Sequence, residues 1–271
     1  MSFEGQTAWI TGASSGIGAA LSREWSKRGA NIILSGRDEA RLTKVAQSLG
    51  TETLILPFDV RDEEAMRAAT EKAIGWKGSV DIFVANAGIS QRSPAVDTDL
   101  QVYRDIIAID LTAQIAATQE LLPHMASRGS GKLLFISSIA GKVGVPMRTA
   151  YCAAKHGLIG YADALRGEIS QSGVDVDVIC PGSVATDVSR NALSADGTPR
   201  GRSDKVIDNG IRPADAAKRI IDAVEANQRE IIVADGMEEA MGEMRRTPDQ
   251  LFDQIAGMVA AGYMEKMQAE E

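Results

Sequence analysis

The chain has 271 residues, of which 44% are hydrophobic and 24% are charged, and its formal net charge is −8 at pH 7. An acidic balance without basic clusters argues against nucleic acid or a membrane surface as a partner, and no apolar run approaches the length of a membrane span. The two cysteines, Cys152 and Cys180, form neither a disulfide framework nor a metal-ligand spacing. We therefore expect no metal and, because the amino terminus enters a strand-like run almost at once, a cytoplasmic location.

Short apolar runs alternate with longer amphipathic stretches along the chain. They predict strands over 7–11, 31–35, 53–57, 80–85, 132–138, 174–180 and 229–233. They predict helices over 16–29, 38–49, 62–74, 100–128, 149–172 and 213–226. Seven strands alternating with helices indicate an α/β fold, a doubly wound parallel sheet of the Rossmann type with helices on both faces. Without a linker, repeat or low-complexity tract, residues 1–271 are expected to form a single domain.

The segment TGASSGIG (11–18) lies between the first strand and the first helix. Gly12 permits a tight turn, Gly16 lets the backbone approach a bound group, and Gly18 lets the helix pack against the strand. The helix start offers free N–H groups to a pyrophosphate, so this context predicts a dinucleotide site rather than an ordinary turn. The expected cofactor contacts here are Gly12, Ser14, Ser15, Gly16, Ile17 and Gly18.

The end of the second strand indicates which nicotinamide cofactor binds. Gly36 stands where an acidic residue would bind a ribose 2′-hydroxyl, and Arg37 follows it, able to accommodate a 2′-phosphate. Asp38 is better explained as the cap of the next helix. The pattern favours NADP, with NAD possible, and the alternative is that Arg37 is only a solvated residue at a helix entry.

Polar segments follow the third and fourth strands at their carboxyl ends, where ligands bind in such sheets. Asp59 could accept a hydrogen bond from an adenine amino group, and the turn at 86–88 could let the backbone run beside the cofactor. Ordinary loops are the alternative at both places. The expected contacts are Asp59, Val60, Asn86, Ala87 and Gly88.

Tyr151 and Lys155 stand four residues apart in a predicted helix, so their side chains share one face. Ser138 ends the fifth predicted strand, thirteen residues before Tyr151. Since a strand end and the start of the next helix share the carboxyl edge of the sheet, the three side chains can meet above the glycine turn.

With these segments the chain resembles the short-chain dehydrogenase/reductase family. The matching pieces, in family order and spacing between residues 11 and 186, are TGASSGIG, NAG, ISSIAG, YCAAK and PGSVAT. The resemblance implies that Tyr151 is the general acid/base, that Lys155 also holds the nicotinamide ribose, and that Ser138 binds the carbonyl oxygen. Because a free tyrosine titrates near ~10, we expect the Lys155 cation to lower the pKa of Tyr151 toward neutrality. The residues expected near the nicotinamide amide are Pro181, Gly182, Val184 and Thr186.

The chain departs from the family at IDLTAQ (109–114), where Asp110 occupies a position at which asparagine is usual. An ionised carboxylate only accepts hydrogen bonds, so the family's water relay from lysine to solvent is in doubt as drawn. We include Asp110 among the catalytic residues because its charge would oppose Lys155 and raise the pKa of Tyr151. A purely structural role is the alternative.

Two regions stand apart from the alternating pattern. Residues 187–210 are polar, contain glycine and are predicted to form a substrate loop. Its charged residues could bind an acidic substrate but are better explained as solvated: Arg190, Arg200, Arg202 and Lys205. Residues 235–271 are predicted to be a helical extension that packs on the core or on another subunit, or lines a substrate wall. Its methionines are Met237, Met241, Met244, Met258, Met264 and Met267.

Together these features predict an oxidoreductase that interconverts a small-molecule carbonyl and a secondary alcohol with NADP(H). The alternatives are an NAD-dependent dehydrogenase of the same family and a cofactor-binding regulatory protein with vestigial activity. By family resemblance we expect a homodimer or homotetramer with contacts through the helices at 100–128 and 149–172. The sequence does not reveal the substrate.

Overall fold

The computed structural model describes residues 3–263 and 266 and contains one seven-stranded parallel sheet, with the strand order β3-β2-β1-β4-β5-β6-β7. The strands are β1 (Thr7–Thr11), β2 (Asn31–Gly36), β3 (Thr53–Pro57), β4 (Ile82–Ala85), β5 (Gly131–Ile136), β6 (Val174–Pro181) and β7 (Glu230–Val233). The strand order reverses between β1 and β4, which is where such sheets bind ligands. The predicted doubly wound α/β fold is confirmed.

Helices cover both faces of the sheet. They are α1 (Gly16–Lys27), α2 (Glu39–Ala46), α3 (Glu63–Lys77), α4 (Leu100–Ile107), α5 (Ala113–Arg128), α6 (Thr149–Glu168), α7 (Lys205–Asp208), α8 (Pro213–Glu225), α9 (Met237–Met244) and α10 (Asp249–Ala260). Within the described residues, no helix combines the length and apolarity that crossing a bilayer requires.

Alternate residues of the central strands pack into two separate apolar layers. In β1, Trp9 points into one layer and Ile10 into the other, and in β4 Phe83 and Val84 divide in the same way. The rings of Trp9 and Phe83 meet edge to face at 5.2 Å. Burial on both faces explains why these strands are continuous apolar runs, each large side chain contributing roughly 1.5–3 kcal/mol.

Two predicted element boundaries at the site are wrong. β5 ends at Ile136 rather than continuing to Ser138, which instead begins a short 3₁₀ turn at Ile139–Gly141. The Ser138 hydroxyl accepts a hydrogen bond from the Ala140 N–H at 3.1 Å, and this cap ends the extended backbone.

The single helix predicted over 100–128 is interrupted by a π-helical turn at Ala108–Thr112. The N–H of Ala113 bonds to the carbonyl of Ala108, five residues back. The Ile109 carbonyl accepts a hydrogen bond from the Gln114 side-chain amide at 3.0 Å. This side-chain bond offsets the cost of a backbone carbonyl that would otherwise lack a partner, so it stabilises the turn that carries Asp110. Hydrophobic periodicity cannot reveal such a bond.

The carboxyl-terminal extension is helical over α9 and α10, and α10 packs on α6. Phe252 is buried and stacks on the guanidinium of Arg166, whose carbon lies 4.0 Å from the ring centroid. Ile255 packs against Gly167 so closely that a Cβ there would clash. By contrast Met237, Met244 and Met258 are mostly exposed; Met264 and Met267 lie outside the described residues.

Candidate functional site

A cleft of about 1200 Å³ opens at the carboxyl edge of the sheet, above the point where strand order reverses. Its volume exceeds the range of ~300–1,000 Å³ usual for small-molecule sites, so it has room for a dinucleotide together with a small substrate. The predicted site residues that line it are Gly12, Ser14, Ser15, Gly16, Ile17, Arg37, Asp59, Val60, Asn86, Ala87, Gly88, Asp110, Ser138, Tyr151, Lys155, Pro181, Gly182, Val184 and Thr186. Of the predicted set, Gly18 alone does not line it.

The turn after β1 requires its glycines. Gly12 and Gly16 have φ of +64° and +54°, in the left-handed region that other residues rarely adopt. A Cβ on Gly18 would lie 2.5 Å from the Gly12 carbonyl oxygen, so Gly18 serves the close packing of the turn itself. The Asn86 side-chain amide donates to the Thr11 carbonyl at 2.8 Å and so fastens the end of β4 to this turn.

The far end of the cleft, beside β2 and β3, is rich in guanidinium groups. Arg37, Arg41 and Arg61 all line it. Asp38 caps α2, as predicted, by accepting a hydrogen bond from the Arg41 N–H at 3.0 Å. Asp59 accepts two side-chain bonds from Arg61, the shorter 2.7 Å, and Arg61 is the main cause of the lowered pKa of Asp59. The Asp59 carboxylate therefore holds an arginine at the wall of the cleft.

The structure brings Ser138, Tyr151 and Lys155 together in the middle of the cleft. Ser138 donates to the Pro181 carbonyl at 3.3 Å, and its hydroxyl is close enough to lower the pKa of Tyr151. The Lys155 ammonium lies 5.6 Å from the centre of the Tyr151 ring and donates to the Ile136 carbonyl at 3.0 Å. The 3₁₀ turn after β5 and the first two turns of α6 thus present a hydroxyl, a phenol and a cation to one space.

Asp110 is fully buried beside this group. One carboxylate oxygen accepts a hydrogen bond from the Ile89 N–H at 2.8 Å, and the other lies 3.1 Å from the Lys155 ammonium. A Cβ on Gly88 would lie 2.9 Å from that second oxygen and 3.4 Å from the ammonium, so glycine is needed there for the ion pair.

The pKa expected for Tyr151 is wrong in direction. Burial raises the pKa of Tyr151 above its ordinary value; Lys155 lowers it, but Asp110 raises it again. Burial lowers the pKa of Lys155, but Asp110 and Tyr151 together leave this pKa raised. The Lys155 side chain therefore stays protonated, but the negative charge of Asp110 offsets part of its effect on the pKa of Tyr151.

Sequence reasoning missed a carboxylate that reaches the site from the carboxyl-terminal extension. Glu238, in α9, accepts hydrogen bonds from the Ser183 N–H at 2.7 Å and from its hydroxyl at 2.8 Å. Ser183 follows the Pro181–Gly182 segment on the wall of the cleft. A single glutamate 55 residues away carries no local signal of such a contact.

Sequence reasoning also missed two arginines, Arg92 and Arg148, which line the cleft together with Asp204. Of the two, only Arg148 carried a sequence signal, because it stands three residues before Tyr151.

The residues present fit a nicotinamide dinucleotide. The turn after β1 holds two glycines in left-handed conformations at the start of α1, where free N–H groups favour a phosphate. Polar side chains line the cleft from Arg37 at one end to Lys155 at the other, and the glycine turn after β1 lies between them.

Comparisons with known proteins agree with this geometry. The family model described as short chain dehydrogenase matches residues 6–197. Dehydrogenase/reductase SDR family member 7B of Danio rerio is 37% identical over 234 residues, which cover 83% of this chain and 76% of that protein. The human dehydrogenase/reductase SDR family member 7 is 38% identical over 198 residues, covering 70% and 58% of the two chains. A crystal structure of a metagenomic short-chain oxidoreductase in complex with NADP aligns with a TM-score of 0.72 and 29% identity, covering 88% of this chain and all of that one.

Proposed function

Because this chain belongs to the short-chain dehydrogenase/reductase family of oxidoreductases, we propose that it interconverts a carbonyl and a secondary alcohol with NADP(H). The observation that carries the proposal is the convergence of Ser138, Tyr151 and Lys155 in the cleft. A bound nicotinamide would give or accept the hydride.

The three side chains have separate tasks in this proposal. The Ser138 hydroxyl donates a hydrogen bond to the substrate oxygen and orients it toward Tyr151. Tyr151 gives a proton to that oxygen in reduction and removes it in oxidation. Lys155 stabilises the phenolate that remains after proton donation and would hold the ribose hydroxyls. The raised pKa of Tyr151 keeps the phenol protonated near neutral pH, which suits the reductive direction.

Tyr151→Phe tests the chemistry. We expect kcat for carbonyl reduction to fall by about 10²–10⁴, the usual contribution of a general acid, with cofactor binding retained in a fluorescence titration. Tyr103→Phe is the matched control, since that phenol bonds to Thr149 and does not line the cleft. Equal turnover by wild type and Tyr151→Phe would favour a cofactor-binding regulatory protein with vestigial chemistry.

We infer NADP(H) rather than NAD(H) from Gly36 and Arg37, and the NADP in the metagenomic relative supports the same choice. The expected kcat/KM for NADPH exceeds that for NADH by at least about 10-fold, the value of one charge-assisted phosphate contact. Arg37→Ala should bring the two values together, whereas Arg67→Ala, which removes an exposed partner of Glu120, should not. A preference for NADH in the wild type would favour the NAD-dependent alternative.

We propose that the chain acts as a homodimer or homotetramer through α4–α5 and α6, as the family resemblance implies. Sedimentation equilibrium tests this, because a mass near 28.8 kDa at micromolar concentration would indicate a monomer.

A further inference from the structure

Three arginines surround one carboxylate on the substrate side of the cleft. Asp204 accepts a hydrogen bond from Arg200 at 2.7 Å and lies 3.4 Å from Arg92 and 3.5 Å from Arg148. All four side chains are largely covered, with 14–26% of their surface exposed. We call these four residues the arginine cluster; in it three positive charges face one negative charge.

Two of the three guanidinium groups have donors to spare. A guanidinium carries five N–H donors. Among the described residues, the side chains of Arg92 and Arg148 each meet one carboxylate oxygen, that of Asp204, at more than 3.3 Å. No guanidinium nitrogen of these two residues is both fully buried and unpaired, so the remaining donors stay accessible, and both residues line the cleft. Their fork geometry suits a carboxylate or phosphate.

The local field supports an anion at this place. Burial lowers the pKa of Arg92, and Arg148 lowers it further, while Asp204 offsets this only in part. Two other carboxylates on the cleft wall have partners elsewhere. Asp187 pairs with Arg190, and Asp105 accepts a bond from Gln101.

The cluster is fixed relative to the catalytic group. Arg148 immediately precedes α6 and stands three residues before Tyr151. The neighbour of Arg92, Gln91, is fully buried and accepts a hydrogen bond from the Ala150 N–H at 2.9 Å. A group bound between the two arginines would therefore lie at a defined distance from the phenol.

We propose that Arg92 and Arg148 form a subsite for an anionic group of the substrate, a carboxylate or a phosphate joined by a short chain to the reacting carbonyl. The inference rests on the proposed function and names the substrate class of the same site. Asp204 holds the two guanidinium groups in place and keeps Arg200 with the loop.

The experiment compares matched anionic and neutral substrates with NADPH. 4-Oxopentanoate is paired with its methyl ester, and hydroxyacetone phosphate with hydroxyacetone, so that the two arms distinguish carboxylate from phosphate. We expect kcat/KM to favour the anion by at least about 10-fold in one arm. Arg92→Gln and Arg148→Gln should each reduce that preference about 10-fold, and Arg202→Gln, an exposed loop residue outside the cleft, should leave it unchanged.

Failure of this inference and failure of the proposed function give different results. Equal turnover of the anionic and the neutral substrate in both arms by the wild type overturns the anion subsite but upholds the oxidoreductase. No turnover of any carbonyl overturns the function, and the subsite is then tested by calorimetric titration of the protein with pentanoate, pentanamide and inorganic phosphate. Tighter binding of pentanoate than of pentanamide, or binding of phosphate, supports the subsite if it is lost in Arg92→Gln. Equal binding of pentanoate and pentanamide, together with phosphate binding that Arg92→Gln does not reduce, overturns it. Arg92→Lys keeps the charge without the fork and should retain part of the preference, which separates charge from folding defects.

Discussion

Asp110 lies 3.1 Å from the ammonium group on which the proposed proton transfer depends. Its carboxylate offsets part of the field that Lys155 exerts on Tyr151, so the phenol holds its proton more tightly than it would beside the lysine alone. The residue thereby favours the protonated form of the phenol, which is the form that reduction requires.

Asp110→Asn should move the pH profile of alcohol oxidation toward lower pH. Asp110 raises the pKa of Tyr151, so removing its charge lowers that pKa and makes the phenolate available earlier as pH rises. The measurement is kcat/KM for oxidation against pH. Asp105→Asn is the control, because that carboxylate accepts a bond from Gln101 instead. A profile that does not move would rule out this electrostatic coupling.

The sequence predicted a single site residue only where that residue belonged to a local pattern. Tyr151 and Lys155 share one turn of helix, so their spacing alone placed them on one face. Glu238 and Arg92 reach the site through contacts between distant segments, and neither has a neighbour that marks it. The pKa of Tyr151 was mispredicted because it depends on burial, which the motif does not contain.

Among the elements, α9 is connected to the proposed nicotinamide end of the cleft through one side chain, Glu238. Glu238 holds both polar groups of Ser183, and a Cβ on Gly182 would overlap the same carboxylate. The segment after β6 is therefore positioned from outside the sheet.

Glu238→Ala should weaken cofactor binding more than it slows chemistry. A hydrogen bond to a charged group contributes about 1.5–3 kcal/mol, so the Kd of NADPH from a fluorescence titration should rise about 10-fold or more, with a smaller effect on kcat. Glu238→Gln keeps one acceptor and should recover part of the affinity. Glu239→Gln, its exposed neighbour, is the control. An equal loss in kcat and Kd, together with a lower Tm, would indicate a general folding role instead.

The period of the apolar residues was sufficient to predict all seven strands and most helices to within a few residues. It failed where side chains determine the backbone. Gln114 satisfies the carbonyl of Ile109 in the π turn, and the Ser138 hydroxyl caps the turn that ends β5. Such bonds replace regular backbone hydrogen bonds, so the spacing of apolar residues does not reveal them.

Across the whole molecule, buried charges connect parts of the sheet that are distant in sequence. Lys142, just after the turn that Ser138 begins, forms a 2.8 Å ion pair with Glu230 of β7. Glu230 also accepts a hydrogen bond from the Thr247 N–H at 3.2 Å, which attaches the extension to the last strand. The alternation of strands and helices predicted the layers, but these connections depend on which charges the folded chain buries.

One buried carboxylate makes stability depend on pH. Burial raises the pKa of Asp177 in β6 from 3.8 to about 6, despite Lys132 at 3.4 Å. The folded protein therefore binds a proton that the unfolded chain has lost between about pH 4 and 6, so stability falls as pH rises through this window.

Asp177→Asn should remove this penalty. The raised pKa corresponds to at most about 3 kcal/mol above pH 6, so the Tm of the variant should exceed that of wild type at pH 7.5. The gain should shrink as pH falls toward 4, where the wild-type carboxyl is protonated in both states. Asp97→Asn, an exposed residue that takes no part in the shift of Asp177, is the control. A gain that is independent of pH would contradict the linkage.

The match to the family model ends at residue 197, whereas the carboxylate that secures Ser183 stands at residue 238. Chimaeras that join the matched region of one relative to the tail of another would separate this pair. Crossover points for recombination are therefore best chosen before Gly182 or after Glu238, so that both halves of the contact come from the same parent.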